Sequence, residues 1–204
     1  MVLIRATDSV VFDTSYLAIN KVTDGRGRVL EHTLSPRYKA LGSSLCITLP
    51  SDLTSSNEFV LKIEYTTTAQ CTALGWMQPS QSASGKFPFL YSQCQAIHAR
   101  SLLPVQDTPA IKATYKARVR SYLPIVMSAN RTNPPPEVTI TIDPNVERTF
   151  EFEQNVPIPS YLVAIAGGEI GFGSLGKRTG VYAEPKVLPD AVWEFKQDFE
   201  RCVL

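Results

Sequence analysis

The segment IKATYKARVR, residues 111–120, alternates small or apolar side chains with polar ones at every step. Ile111, Ala113, Tyr115, Ala117 and Val119 form one set, and Lys112, Thr114, Lys116, Arg118 and Arg120 form the other. An extended backbone sends successive side chains to opposite faces, so this pattern makes a strand with one core face and one solvated face. A helix would scatter the same residues around its axis. Outward from this segment the pattern recurs. In FVLKIEY, residues 59–65, Phe59, Leu61, Ile63 and Tyr65 face away from Lys62 and Glu64. SLCITLP (44–50), EVTITID (137–143) and RTFEFEQNV (148–156) read as further strands. Turn signals separate them at Asp24-Gly25 with Gly27, at Ser51-Asp52 and at Pro134-Pro135-Pro136. One-sided alternation with frequent turns implies a mainly β chain of antiparallel sheets, a sandwich or one large curved sheet.

One segment breaks the pattern. In LPDAVWEFKQDFERCVL (188–204), Pro189 stands near a first turn and Val192, Phe195, Phe199 and Cys202 recur at helical spacing. The apolar stripe still runs at the last residue, which points to a partner for this helix.

With 204 residues, 44% hydrophobic and 19% charged, the chain suits one folded domain with a substantial core. The net charge is +1 without a lysine or arginine cluster, so neither nucleic acid nor a membrane surface is an expected partner. The opening MVLIRATDSV lacks the sustained apolar centre of a signal peptide, and the run Tyr161 to Ala166 is too short to cross a bilayer. Cys46, Cys71, Cys94 and Cys202 follow no motif spacing and read as reduced thiols, which suggests a cytoplasmic protein.

Chemistry-bearing residues concentrate in YSQCQAIHAR, residues 91–100. Cys94 and His98 are four apart and would meet on a helix, but no carboxylate to orient the base and no oxyanion donor accompany them. His32 and His98 are the two histidines, neither within H-E-x-x-H, so a zinc set has no spacing to support it. GFGSLGKR (171–178) approaches a phosphate loop but carries Arg178 where a hydroxyl is required, and a strand-like segment follows; a glycine-rich hairpin fits better. There remain Gln93 and Gln95. Each offers an amide donor and a carbonyl acceptor, and on extended backbone both would face one side. By composition alone they also fit ordinary polar surface.

The stretch SQCQAIHARSLLPVQDTPAIKATY resembles the amino-terminal domain of leukotriene A-4 hydrolase and related aminopeptidases, zinc enzymes of the aminopeptidase-N superfamily. FDTSYLAINKV, EYTTTAQCTALGWMQPSQSASGKFPFLYSQCQAIHAR and QNVPIPSYLVAIAGGEI extend the resemblance in collinear order over nearly the whole chain. The resemblance implies a saddle-shaped, mostly antiparallel β domain, with a short carboxy-terminal helix, that forms one wall of a peptide-binding cleft. It implies that Gln93 and Gln95 line that cleft around Cys94, with Gln95 near the substrate's amino-terminal residue. In the family a zinc ion polarises the scissile carbonyl and a glutamate activates water; some members also open a fatty-acid epoxide.

The M-E-N motif, H-E-x-x-H and the third zinc ligand are not in this sequence, and strands expected ahead of VVFDTSYLAIN are missing or replaced. The implied organisation is an amino-terminal β domain over 1–185 and, over 186–204, the start of a helix leading to a catalytic domain. No catalytic residue, metal ligand or cofactor is expected within the chain, which is expected to be inactive alone; zinc belongs to the full-length family. The expected partners are the substrate's amino terminus and the catalytic domain or another protein. The alternative is a stand-alone β-sandwich module for protein interaction.

Overall fold

The computed structural model describes residues 7–54, 58–135, 138, 140–197 and 199–202. They fall into two compact units, one made of 1–74, 93–112 and 159–162, the other of 75–92, 113–158 and 163–204.

The first unit is built from β1 (Ser9–Thr14), β2 (Leu17–Asp24), β3 (His32–Leu34), β4 (Ser43–Thr48), the single-turn helix α1 (Ser51–Thr54) and β5 (Leu61–Thr67). Its three-stranded sheet has the order β1-β4-β3, and β2 pairs with β5. Every one of these pairings is antiparallel. The alternation read from the sequence sets the faces: Val10 and Phe12 are buried while Val11 between them is exposed. Leu45, Ile47 and Leu49 likewise point inward and meet Val22, Leu30 and Phe59 in one cluster. The turn at Asp24-Gly25 is present, with Gly27 in the left-handed region at φ +87°. Asp24 accepts the backbone N–H groups of Arg26 and Arg28 there, each at 2.9 Å. Ser51-Asp52, read as a turn, begins α1 instead.

The second unit contains β6 (Leu74–Met77), β7 (Phe89–Ser92), β8 (Lys112–Ser121), β9 (Ile125–Met127), β10 (Asn130–Asn133), β11 (Arg148–Pro159), β12 (Ile165–Gly167), β13 (Gly171–Ser174) and β14 (Gly180–Ala183). The helices α2 (Leu188–Phe195) and α3 (Phe199–Cys202) complete it. One sheet has the order β10-β11-β8, a second β6-β7-β12-β9, and β13 and β14 form an antiparallel hairpin. Phe150 and Phe152 of β11 are buried with Ile125, and Ala117 and Val119 of β8 pack against them. On the outer face Arg118 pairs with Glu151 and Lys116 with Glu153, both at 2.8 Å. The strand its alternation indicated spans 112–121 and is inward at Tyr115, Ala117 and Val119, whereas Ile111 and Ala113, read as core-facing, are exposed and Ile111 precedes the strand.

Two expectations need correction. EVTITID is not a strand over 140–143, and its residues 137 and 139 lie outside the described set. Central β11 already pairs with β10 on one edge and β8 on the other, so no edge of it remains for this segment; Ile140 instead packs against the Phe150 cluster. The carboxy-terminal helix is also interrupted: α2 ends at Phe195 and residues 196–197 form a turn before α3. Its stripe is partly covered, because Leu188 and Val192 lie close over Gly171 and Gly173 of the hairpin. Trp193, Phe195 and Phe199 stay exposed, the two phenylalanines edge to face at 5.2 Å. GFGSLGKR is β13 followed by most of the hairpin connection to β14, with Ser174 opposite Gly180.

Candidate functional site

Past β7 the chain enters an irregular segment at Gln93 and turns through residues 95–98 into a 3-10 turn at Ala99–Ser101. The extended backbone expected between Gln93 and Gln95 is replaced by a local cap: Gln93 Oε1 accepts the backbone N–H of Gln95 at 3.1 Å. Gln93 N donates to the Ala73 carbonyl at 2.8 Å, which ties this stretch to residues 71–73. The Gln95–Ala96 peptide is cis. Both glutamines are exposed. Among the described residues, the amide nitrogen of Gln93 and the whole head group of Gln95 have no hydrogen-bond partner.

Cys94 points the other way. Its side chain is 2% exposed and packs with Ala73 and Ala99, with Cys71 beside them. Burial, with lesser help from the Asp107 charge and Cys71, pushes the thiol up to about 11. At neutral pH it rests as a neutral thiol, the poorly nucleophilic form. The spacing to His98 is a backbone turn, His98 N–H to Cys94 O at 2.9 Å, while the His98 ring meets Thr72 through Nδ1 and Oγ1 at 2.8 Å. The His32 ring likewise lies against the Leu30 carbonyl at 3.3 Å. All four cysteines are free. Alkylation of the native chain at pH 8 is therefore expected to modify exposed Cys202 first. Cys94 should react slower than an ordinary thiol by on the order of 100-fold, because its thiolate is that much scarcer. Timed peptide mapping by mass spectrometry reads this directly, and comparable rates for the two would contradict the buried geometry.

Where this turn runs into the 3-10 turn lies a polar network that sequence patterning did not reveal. Arg100 is 6% exposed and Asp107 is also 6% exposed. Arg100 Nε donates to Asp107 Oδ2 at 3.0 Å, Nη1 to the Leu41 carbonyl at 2.7 Å and to Asp13 Oδ1 at 3.4 Å, and Nη2 to the Asp107 carbonyl at 3.4 Å. Ser160 Oγ donates to Asp107 Oδ1 at 2.6 Å, and Asp13 Oδ2 accepts the Asp107 N–H at 2.9 Å. Buried charges persist where each donor and lone pair is matched in this way. Gly42 makes one contact possible: its φ is +80°, and a Cβ there would collide with the Thr14 carbonyl, so the tight turn that presents Leu41 O requires glycine. Ser101 adds a second tie, its Oγ accepting the Thr72 N–H at 2.9 Å. Two neutral amide head groups thus stand on the turn that leads into the buried Arg100–Asp107 pair. Such groups can accept from an ammonium and donate to a carbonyl without titrating.

Among the described residues, no three histidine, cysteine or carboxylate side chains converge on a point that could hold a metal ion. Among the described residues, no helix is long and apolar enough to cross a membrane.

Residues 1–162 match the peptidase M1 N-terminal domain. Leucine aminopeptidase 2 of Vanderwaltozyma polyspora is 40% identical over 199 residues, which are 98% of this chain and 29% of that protein. Native leukotriene A4 hydrolase from Saccharomyces cerevisiae superposes with a TM-score of 0.82 at 39% identity, covering 96% of this chain and 28% of that one. An M1 zinc metallopeptidase from Deinococcus radiodurans shares the fold at 20% identity, with a TM-score of 0.61, 88% of this chain and 39% of that one. The chain spans under a third of the length of the two similar yeast proteins.

Proposed function

The chain belongs to the peptidase M1 N-terminal domain family, and we propose that it supplies one wall of the peptide-binding cleft of a leukotriene A-4 hydrolase-like zinc aminopeptidase. Gln93 and Gln95 meet the substrate's amino-terminal residue in this reading, and Cys94 fixes the turn between them from inside. The observation that carries it is the pair of exposed, neutral head groups on a turn anchored by buried Arg100 and Asp107. Gln93 Oε1 is already fixed by the Gln95 N–H, so its amide donor is presented with less ordering left to do on binding.

The division of labour follows from the residues. This chain binds and orients; zinc, held by a catalytic domain, polarises the carbonyl when present. Residues 186–204, which carry α2 and α3, are the approach to that domain in this reading, and the parent works in the cytoplasm. Whether the parent also opens an epoxide is decided outside these residues.

Titration of the isotope-labelled chain with a short peptide carrying a free amino terminus tests the cleft role. Shifts should concentrate on the Gln93 and Gln95 side-chain amides, and Gln95→Ala should weaken binding about 10-fold. Perturbations confined to other residues would sink the assignment. The same preparation should turn over no aminoacyl-anilide and retain no stoichiometric zinc; zinc-dependent turnover would overturn the assignment of chemistry to another domain.

A further inference from the structure

We propose that the second unit binds a small uncharged aromatic molecule with one N–H or O–H donor, the chemistry of an indole, in the cavity beside Glu169. The cavity measures about 340 Å³ and lies wholly within that unit. That volume sits at the lower end of small-molecule sites, which are largely apolar with a few placed polar groups. Phe87, Val126, Ile170 and Phe172 supply apolar wall. Phe172 and Tyr182 are register partners in the β13–β14 hairpin, and their rings stand 5.1 Å apart and tilted. Both border the cavity, so a flat aromatic body finds ring surface to pack on.

A single acceptor selects the donor. Glu169 is half-buried, and its Oε2 is buried without a hydrogen-bond partner among the described residues. Such an oxygen is costly, and an N–H or O–H donated to it removes the cost. The other charges of the cavity decide the rest. Exposed Lys86 and Arg131 line it together with Glu169. Arg131 is already engaged: its Nη2 donates to the Pro135 carbonyl at 2.9 Å, and its guanidinium stands 6.0 Å from the Tyr182 ring centroid. No ligand group is therefore assigned to it. A ligand cation would enter beside two bases, and a ligand anion would enter beside Glu169. A pure hydrocarbon would cover the wall and leave Oε2 unmatched. An uncharged donor on an aromatic body meets all of these conditions. The site shares no residue with Gln93 or Gln95 and does not depend on the cleft reading.

Nuclear magnetic resonance titration of the methyl-labelled 204-residue chain with indole and 1-methylindole tests it. Saturable shifts of the Val126 and Ile170 methyl groups are expected with indole. N-Methylation removes the donor and keeps the ring, so 1-methylindole should bind about 10-fold more weakly. Glu169→Met removes the acceptor and should bring the two ligands to equal affinity. Tryptamine and indole-3-acetate, which add a cation and an anion, should bind no more tightly than indole. Absence of saturable indole binding, shifts confined to other methyl groups, or equal affinity of the native chain for indole and 1-methylindole overturns the proposal. So does tighter binding of either charged ligand, or a preference for indole that survives Glu169→Met. If Glu169→Met does not fold by circular dichroism, the four ligands on the native chain still decide between these outcomes.

Discussion

Replacing Arg100 by methionine is expected to destabilise the chain by about 3–5 kcal/mol, among the largest effects of any single substitution in the first unit. The guanidinium is buried and its donors go to Asp107, Asp13 and the Leu41 carbonyl. Methionine is of similar length and fills much of the space, so the loss is chiefly electrostatic. Asp107 keeps Ser160 Oγ and the Arg100 N–H but loses its counter-charge while remaining out of water. The double variant Arg100→Met with Asp107→Leu should lose less than the sum of its parts, with a coupling of about 0.5–3 kcal/mol. Urea midpoints at unchanged slope measure both. A cost for Arg100→Met below about 1 kcal/mol would place the pair among ordinary surface salt bridges. The same variant should also raise the alkylation rate of Cys94, because Ala99, which packs against that thiol, adjoins Arg100 in the chain.

This network marks the boundary of what the sequence made legible. Strand faces were readable because burial on one side imposes a period of two over neighbouring residues: Leu45, Ile47 and Leu49 announce a core without reference to anything distant. The hairpin at 171–183 was readable from glycines and from a failed phosphate-loop pattern. Arg100, Asp107, Asp13 and Ser160 follow no local period, and their pairing depends on a fold that brings residues 13, 107 and 160 together. The Q-C-Q-A-I-H and Q-D-T-P segments could be singled out by resemblance, yet their residue types do not say that the arginine and aspartate are buried supports. Patterning also misread EVTITID, where alternation was present but central β11 had no free edge. The carboxy-terminal helix read from the stripe is present as α2, but residues 196–197 turn before α3, a break that the apolar spacing did not show. The glutamines fall between these cases. Their polarity and exposure follow from sequence, but the cap from Gln95 N–H to Gln93 Oε1 replaces the extended geometry with a turn.

The alternation itself makes the other large prediction. Phe150→Ala is expected to cost about 3–5 kcal/mol, whereas Glu151→Gln, one residue along the same strand, should cost under about 1 kcal/mol. Phe150 is fully buried against Ile125 and Phe152, and truncation leaves a cavity that central β11, paired on both edges, cannot easily collapse to fill. Glu151 faces outward to Arg118, whose side chain is 73% exposed, so solvent screens that pair and a neutral amide can still accept from the guanidinium. Far-UV circular dichroism gives the two urea midpoints, and hydrogen exchange at the β8, β10 and β11 amides localises the loss. If both substitutions cost the same, neither face of β11 is privileged and the two-faced reading of Ala117, Arg118 and Val119 on β8 fails with it. If the costs separate as expected, a difference of several kcal/mol between adjacent residues is the energetic form of the period-two pattern in residues 111–120. A slip of one residue in β11 would then bury Glu151 and expose Phe150, and that cost is what fixes the register of this sheet.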